Sequence, residues 1–151
     1  MKQSELPFWP EKIRQFCSDC RFNSPATNET IHTAEVSLAV RFPHELKTLL
    51  AESNGVFGQY DLGLIWPIEQ IVQDNLDFRA NPDFQLLYMP FDQLMFFADA
   101  GNGDQFAYSI LAGEIRRSDI FAWNHENDSR TWVAPSLSKY LEWWHSGKIK
   151  L

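Results

Sequence analysis

Three short apolar and aromatic segments follow one another closely in the second half of the chain, and they constrain the fold more than any other feature. They read QLMFFADA from Gln93, DQFAYSI from Asp104 and IRRSDIFAWNHEN from Ile115. Only a few turn residues separate them, with Gly113 in the second turn. Parallel strands need a crossover of about a dozen residues or more, which does not fit into these gaps. The spacing therefore predicts antiparallel hairpins.

Segments with helical periodicity surround these strands. An N-terminal helix is predicted in PEKIRQFCSDC, with Cys17 and Cys20 on its apolar stripe, and four more in ETIHTAEVSLAV, PHELKTLLAESNG, PIEQIVQDNLDF and APSLSKYLEWWHSG. QYDLGLIW predicts a further strand, whereas NPDF breaks a helix and QLLYMPF predicts a strand or an extended segment. This order predicts one α+β domain over residues 1–151, with a central, largely antiparallel sheet backed by helices. Residues 1–30 form the N-terminal helix and loop of this prediction.

The acidic charge is concentrated in the middle of the chain. The net charge is -7, and the stretch from Thr48 to Glu114 contains ten acidic residues but only one basic residue, Arg79. Direct nucleic-acid binding is not expected, because phosphate contacts require a basic surface. A basic protein partner is favoured instead. The alternative is that these carboxylates are scattered over the surface and only aid solubility.

The N-terminus and the cysteines bear on the location of the protein. MKQSELPFWPEK lacks the apolar region of a secretion signal, and no segment reaches the roughly 18 continuous apolar residues of a membrane span. We therefore expect a cytoplasmic protein with no membrane contact. Cys17 and Cys20 suit a reducing compartment and are interpreted as buried, packed thiols. A C-x-x-C pair can also be a redox pair or half a zinc site, but the sequence has no second pair and only scattered histidines.

The stretch ADAGNGDQFAY, from Ala98 to Tyr108, has the composition of a ligand-binding loop. Counted from Asp99, an EF-hand loop would need oxygen ligands where Gly101 and Gly103 stand. A G-x-G-x-x-G match fails at Phe106, and a strand rather than a phosphate-binding helix follows. The stretch therefore predicts a turn, and we expect no metal and no cofactor.

The chain lacks the sequence patterns of common catalytic sites. No G-x-S-x-G, H-E-x-x-H or Walker motif occurs. His125 and Glu126 are adjacent in a predicted strand, so their side chains would point to opposite faces. His44 and Glu45 fit the first turn of a helix, where capping explains them. We therefore expect a protein that is not an enzyme and has no catalytic residues.

The order of these motifs resembles the SMI1/KNR4 family, the core of the SUKH superfamily. The resemblance covers residues 31–144 and rests on Phe42-Pro43, Asn54-Gly55, the segment with Leu62, Leu64, Pro67, Glu69, Ile71 and Asn75, the turn after Ala98, and Trp123-Asn124-His125-Glu126. One departure is Ser109-Ile110, where many relatives place an acid.

The resemblance implies an α+β fold and a binding role rather than a catalytic one. Many bacterial members look like immunity proteins that neutralise a cognate toxin, often a nuclease, and fungal relatives are regulatory interaction proteins. We therefore expect an immunity protein that binds a basic toxin domain, with a housekeeping interaction module of the same fold as the alternative. The predicted partner-binding residues are Asp99, Asp104, Glu126 and two aromatic residues expected to be exposed, Trp66 and Trp123. These two could equally be core residues.

Overall fold

A computed structural model describes residues 8–151, so the first part of the predicted N-terminal segment, residues 1–7, lies outside the described residues. The helices are α1 (Phe8–Arg14), α2 (Asn28–Leu38), α3 (His44–Glu52), α4 (Ile68–Ala80), α5 (Pro82–Leu87) and α6 (Leu137–Ser146). The strands are β1 (Arg21–Phe22), β2 (Val56–Phe57), β3 (Gly63–Ile65), β4 (Leu94–Asp99), β5 (Gln105–Ser109), β6 (Ile120–Trp123) and β7 (Arg130–Ala134). None of these helices is long and apolar enough to cross a membrane.

The strands form two antiparallel sheets, which confirms the predicted α+β fold. One sheet has the order β1-β2-β3 and the other β4-β5-β6-β7. In the larger sheet Met95 is paired with Tyr108, and Phe106 is paired with Ala122. Because neighbouring strands alternate in direction, the β4–β5 turn and the β6–β7 turn lie at the same end of this sheet. The predicted β4–β5 and β5–β6 hairpins are therefore confirmed. Strand β7, which was not predicted, pairs with β6 and brings its turn to the same end of the sheet.

Helices α3 and α6 follow their sequence patterns closely. Leu46, Leu49 and Leu50 recur at helical spacing, and all three side chains are buried. Helix α6 begins at the N-cap Ser136, whose side chain accepts a hydrogen bond from the main-chain nitrogen of Lys139. It ends at Gly147, whose left-handed φ of 82° suits glycine.

Helix α4 is attached to β4 by the buried side chain of Asn75. Its Nδ2 donates to the carbonyl of Phe96 over 2.8 Å, and its Oδ1 accepts from the Phe96 main-chain nitrogen over 2.8 Å. A second Nδ2 bond, of 2.7 Å, reaches the carbonyl of Ile71 within the helix. Asn75 thus occupies the hydrogen-bonding groups that the edge strand β4 would otherwise leave unpaired.

The N-terminal helix is shorter than predicted. Helix α1 ends at Arg14. The chain then leads into β1, where Arg21 and Phe22 pair with β2. Cys17 and Cys20 therefore follow the helix instead of lying on it. They also form a disulfide bond with each other, so the prediction of two packed thiols is wrong. Cys17 is buried, as expected, whereas Cys20 is only half-buried.

The segment after Asn81 is helical, so the predicted extended segment is wrong over α5. The Asn81 side chain accepts hydrogen bonds from the main-chain nitrogens of Asp83, at 2.9 Å, and Phe84, at 3.3 Å. Pro82 occupies the first helical turn, where its missing N–H costs nothing. The Asn-Pro pair that ends α4 is thus also the start signal of α5.

Candidate partner-binding surface

The predicted site residues Trp66 and Asp99 lie together, but Trp66 is inaccessible. Its side chain is 0% exposed, and its indole nitrogen donates to Asp99 Oδ2 over 2.9 Å. The ring packs so closely on Gly63 that a β-carbon there would come within 2.8 Å of it. Burial and the nearby carboxylate of Asp74 raise the pKa of Asp99 above its ordinary value, with the Trp66 hydrogen bond acting in the opposite direction. Asp99 itself is half-buried.

Asp104 fastens the β4–β5 turn to the β6–β7 turn. Asp104 is 5% exposed, and its Oδ1 lies 3.1 Å from the main-chain nitrogen and 2.7 Å from ring Nδ1 of His125. Gly103 has a φ of 100°, and a β-carbon there would lie 2.8 Å from the His125 ring. Both features favour glycine at this position. The turn predicted from ADAGNGDQFAY is present, and within it the buried Asp104 joins the β4–β5 turn to His125 of the β6–β7 turn.

Trp123 is also buried, at 3% exposure. Its indole nitrogen donates to Asp128 Oδ1 over 2.8 Å. Its ring lies in an aromatic cluster, with centroid distances of 5.2 to 5.9 Å to the rings of Phe78, Tyr88, Phe91 and Phe96. The expected exposure of Trp66 and Trp123 is therefore wrong. Each indole packs in the interior, because a carboxylate nearby satisfies its N–H.

Helix α5 covers this aromatic cluster with one face and presents apolar residues to solvent with the other. Phe84 and Tyr88 are four residues apart and pack against each other and against Phe91. On the outer side, Leu86 is 87% exposed, Leu87 70% and Met89 58%. We call Leu86, Leu87 and Met89 the α5 ridge. Large apolar side chains grouped in this way are typical of interaction surfaces.

Three hydrogen bonds hold the α5 ridge against the β6–β7 turn. The Tyr88 hydroxyl donates to the carbonyl of His125 over 2.9 Å, and the main-chain nitrogen of Met89 donates to Asp128 Oδ2 over 2.9 Å. Arg130 donates to the carbonyl of Met89 over 3.0 Å. Burial of the Asp128 carboxylate opposes its ionisation, but the bonds from Met89, Trp123 and Arg130 outweigh this effect and lower its pKa. The ridge therefore has a fixed position beside this turn.

Exposed carboxylates flank the α5 ridge. Asp83 lies one helical turn before Leu87, and Glu126 lies in the β6–β7 turn that holds Met89. Within residues 8–151, neither carboxylate forms an ion pair. Arg79, the single basic residue of the acidic stretch, is half-buried and donates to the carbonyl of Leu94. Its charge is thus turned partly away from the surface.

The structure separates the five predicted partner residues into two groups. Glu126 is exposed and Asp99 is half-buried, whereas Asp104, Trp66 and Trp123 are buried. The partner-binding role of these residues stays a prediction. Sequence reasoning missed the α5 ridge because QLLYMPF was interpreted as an extended segment. An adjacent Leu pair, with a Met two residues later, directly after an Asn-Pro helix start is the signal that could have indicated it.

The protein is thus an α+β domain in which the α5 ridge lies beside the β4–β5 and β6–β7 turns, and hydrogen bonds between Asp104 and His125 join these two turns. The family model described as SMI1-KNR4 cell-wall (SUKH_6) matches residues 28–141, which is more than half of the chain. The protein therefore belongs to the SMI1/KNR4 family of the SUKH superfamily, and the resemblance is confirmed. A comparison with curated proteins finds no match.

Proposed function

We propose that this protein is a non-catalytic binding domain that neutralises a basic protein toxin, acting as an immunity protein in the cytoplasm. The observation that supports this best is the α5 ridge, an exposed apolar group fixed beside the exposed carboxylates of Asp83 and Glu126. Family membership supports a binding role in general. The toxin, its basic character and the location are part of the proposal.

The chemistry of the ridge suits a toxin of the nuclease class. A nuclease needs a basic surface to bind phosphate groups. The carboxylates of Asp83 and Glu126, which flank the α5 ridge, complement such a surface. Exposed charges of this kind mainly raise the rate of association, whereas apolar residues that become fully buried determine how long the complex lasts. A pocket of about 300 Å³ beside Met89 and Pro90 provides room for a side chain of the partner.

The surroundings of His125 favour binding over catalysis. A nucleophilic site needs a hydroxyl or thiol within hydrogen-bonding reach of the histidine. In the part of the chain that the structure describes, the hydrogen bonds of the His125 ring lead to Asp104, and no hydroxyl or thiol bonds to it. The pair is explained by its structural task, which is to join the two turns.

Growth rescue tests the proposal directly. The proposal predicts a gene for a basic toxin domain next to this one. That domain is expressed alone and with the wild-type protein, and we expect co-expression to restore growth. Leu87→Asp should abolish this protection, because it places a charge at the centre of the ridge. Leu111→Asp is the matched control, since Leu111 is also exposed but lies between β5 and β6, at the opposite end of the sheet. Failure of the wild type to protect would contradict immunity and favour the housekeeping module.

A further inference from the structure

The disulfide Cys17–Cys20 lies beside a histidine from the other end of the chain. His145 in α6 places Nε2 3.9 Å from Cys20 Sγ. The two sulfur atoms and a ring nitrogen of His145 all lie within 4.8 Å of one another. Two cysteines and a histidine form a donor set that binds zinc and related soft cations. The fold thus completes a group of ligands that the C-x-x-C motif alone does not supply.

The orientation of His145 is fixed in the way that metal-binding histidines are usually fixed. Its Nδ1 lies 2.8 Å from the carbonyl oxygen of Leu141. A carbonyl can only accept, so Nδ1 carries the proton and Nε2 presents its lone pair toward Cys20. A main-chain carbonyl on the outer nitrogen is a common partner of a histidine that binds metal. The Phe16 ring packs against the imidazole, with 5.2 Å between the ring centroids.

A fourth donor and an entry route are also present. Asp19 Oδ1 lies 3.5 Å from Cys17 Sγ, and the sulfur of a disulfide has no hydrogen to donate to it. The Asp19 side chain therefore has a free oxygen facing the cluster. A groove of about 610 Å³ is lined by Cys17, Asp19 and His145, together with Tyr60 and Leu62. A hydrated cation can reach the ligands through this groove.

We propose that reduced Cys17 and Cys20, together with His145, bind a thiophilic divalent cation of the zinc type, with Asp19 or water in the fourth position. In a tetrahedral zinc site the ligand atoms are separated by about 3.5 to 3.8 Å, as follows from Zn–S and Zn–N bonds of about 2.3 and 2.0 Å. The spacing between Cys20 and His145 is already close to this value. The two sulfur atoms must move apart once their bond is broken. Cys17 Sγ lies within 4.8 Å of the His145 nitrogen and must settle at the same spacing.

The disulfide is the oxidised form that excludes the metal. A dithiol reductant supplies two electrons and two protons to the sulfur–sulfur bond, which breaks to give two thiols, while the reductant closes to its own disulfide. The cation then displaces the two thiol protons and binds the thiolates. Binding of the metal is therefore coupled to the redox state of Cys17 and Cys20.

Metal titration of the full-length protein tests this site. The protein is reduced with a phosphine, which takes up the oxygen of one water as it becomes the oxide, and is then titrated with Zn²⁺ by calorimetry. We expect one equivalent to bind with a dissociation constant in the micromolar range or lower and with release of protons. Co²⁺ in place of Zn²⁺ should give a thiolate-to-metal charge-transfer band and the visible spectrum of a tetrahedral site. The oxidised protein should show neither signal.

Single variants separate this site from unspecific binding. His145→Gln should weaken zinc binding by at least about tenfold, since loss of even an outer-shell partner has an effect of that order. His32→Gln is the matched control, because His32 is an exposed histidine on α2, and it should leave binding unchanged. Circular dichroism of each protein verifies that it is folded. The proposal is wrong if reduced wild type binds only at millimolar concentration, if the oxidised protein binds equally well, or if His145→Gln has no effect.

Discussion

Replacing Asn75 with Ala is expected to destabilise the fold by about 2 to 5 kcal/mol. The side chain is buried between α4 and β4, and it pairs with both the main-chain nitrogen and the carbonyl of Phe96 over 2.8 Å. Each of these groups would remain buried without a partner, which costs about 1 to 3 kcal/mol per group. The better helix propensity of Ala offsets only about 0.6 kcal/mol of this loss.

Urea denaturation at neutral pH measures this effect. At a slope of about 2 kcal/mol per molar urea, the loss lowers the unfolding midpoint by about 1 to 2.5 M. Gln73→Ala is the control on the same helix, because Gln73 is exposed and its side chain bonds to Asp77 one turn later. Its free energy of unfolding should change by no more than about 0.5 kcal/mol. If Asn75→Ala costs no more than Gln73→Ala, the hydrogen bonds from α4 do not stabilise β4 and the reasoning is refuted.

Three further variants test buried and half-buried polar groups through thermal unfolding. Tyr108→Phe should leave the stability unchanged or raise it, because the buried hydroxyl has no partner within residues 8–151. Tyr140→Phe should cost about 1 to 3 kcal/mol, because it leaves the buried carbonyl of Leu64 without its hydrogen bond. Equal losses in the two variants would contradict this. Asp99→Asn should raise the melting temperature at pH 7. The pKa of Asp99 is raised by folding, so the folded protein favours the protonated carboxyl group. The resulting stabilisation is complete below the ordinary pKa and is lost as the pH rises through the pKa of the folded state. Asn keeps a side-chain oxygen that accepts the hydrogen bond from Trp66. The higher stability of the variant should vanish near pH 3, where the wild-type carboxyl group is protonated. A variant that is less stable than the wild type at pH 7 would contradict the raised pKa of Asp99.

Much of the fold follows from local patterns that the sequence contains. The Leu stripe of α3 and the Ser136 and Gly147 ends of α6 are determined by neighbours a few residues away, so spacing and end signals predict them. The hairpins of the larger sheet follow in the same way from short gaps between strands. Asn75, which matched a family motif, has a physical role that only its contact with β4 explains.

The candidate site depended on contacts between distant residues, which spacing does not reveal. Trp66 and Trp123 are buried because Asp99 and Asp128 accept their indole protons, and nothing near them in sequence indicates this. The α5 ridge was missed because Asn81 can end one helix and begin the next. His145 joins Cys20 only through the packing of α6, although 125 residues separate them.

The central claim is that the α5 ridge and its carboxylates bind a basic toxin, and binding kinetics with the purified toxin domain test it most directly. Asp83→Lys with Glu126→Lys should lower the association rate constant and weaken its dependence on salt, because these carboxylates attract the partner. Leu87→Asp should speed dissociation by about 30-fold or more, the equivalent of a hot spot of about 2 kcal/mol.

Leu111→Asp is the control for Leu87→Asp, and Glu114→Lys reverses one carboxylate where the ridge variant reverses two. Both controls lie at the far end of the sheet and should leave both rate constants as in the wild type. Asp104 is unsuitable for charge reversal, because it is buried and holds His125. The account predicts altered kinetics for the ridge variants alone. Folded ridge variants that bind the toxin with wild-type rate constants would contradict it.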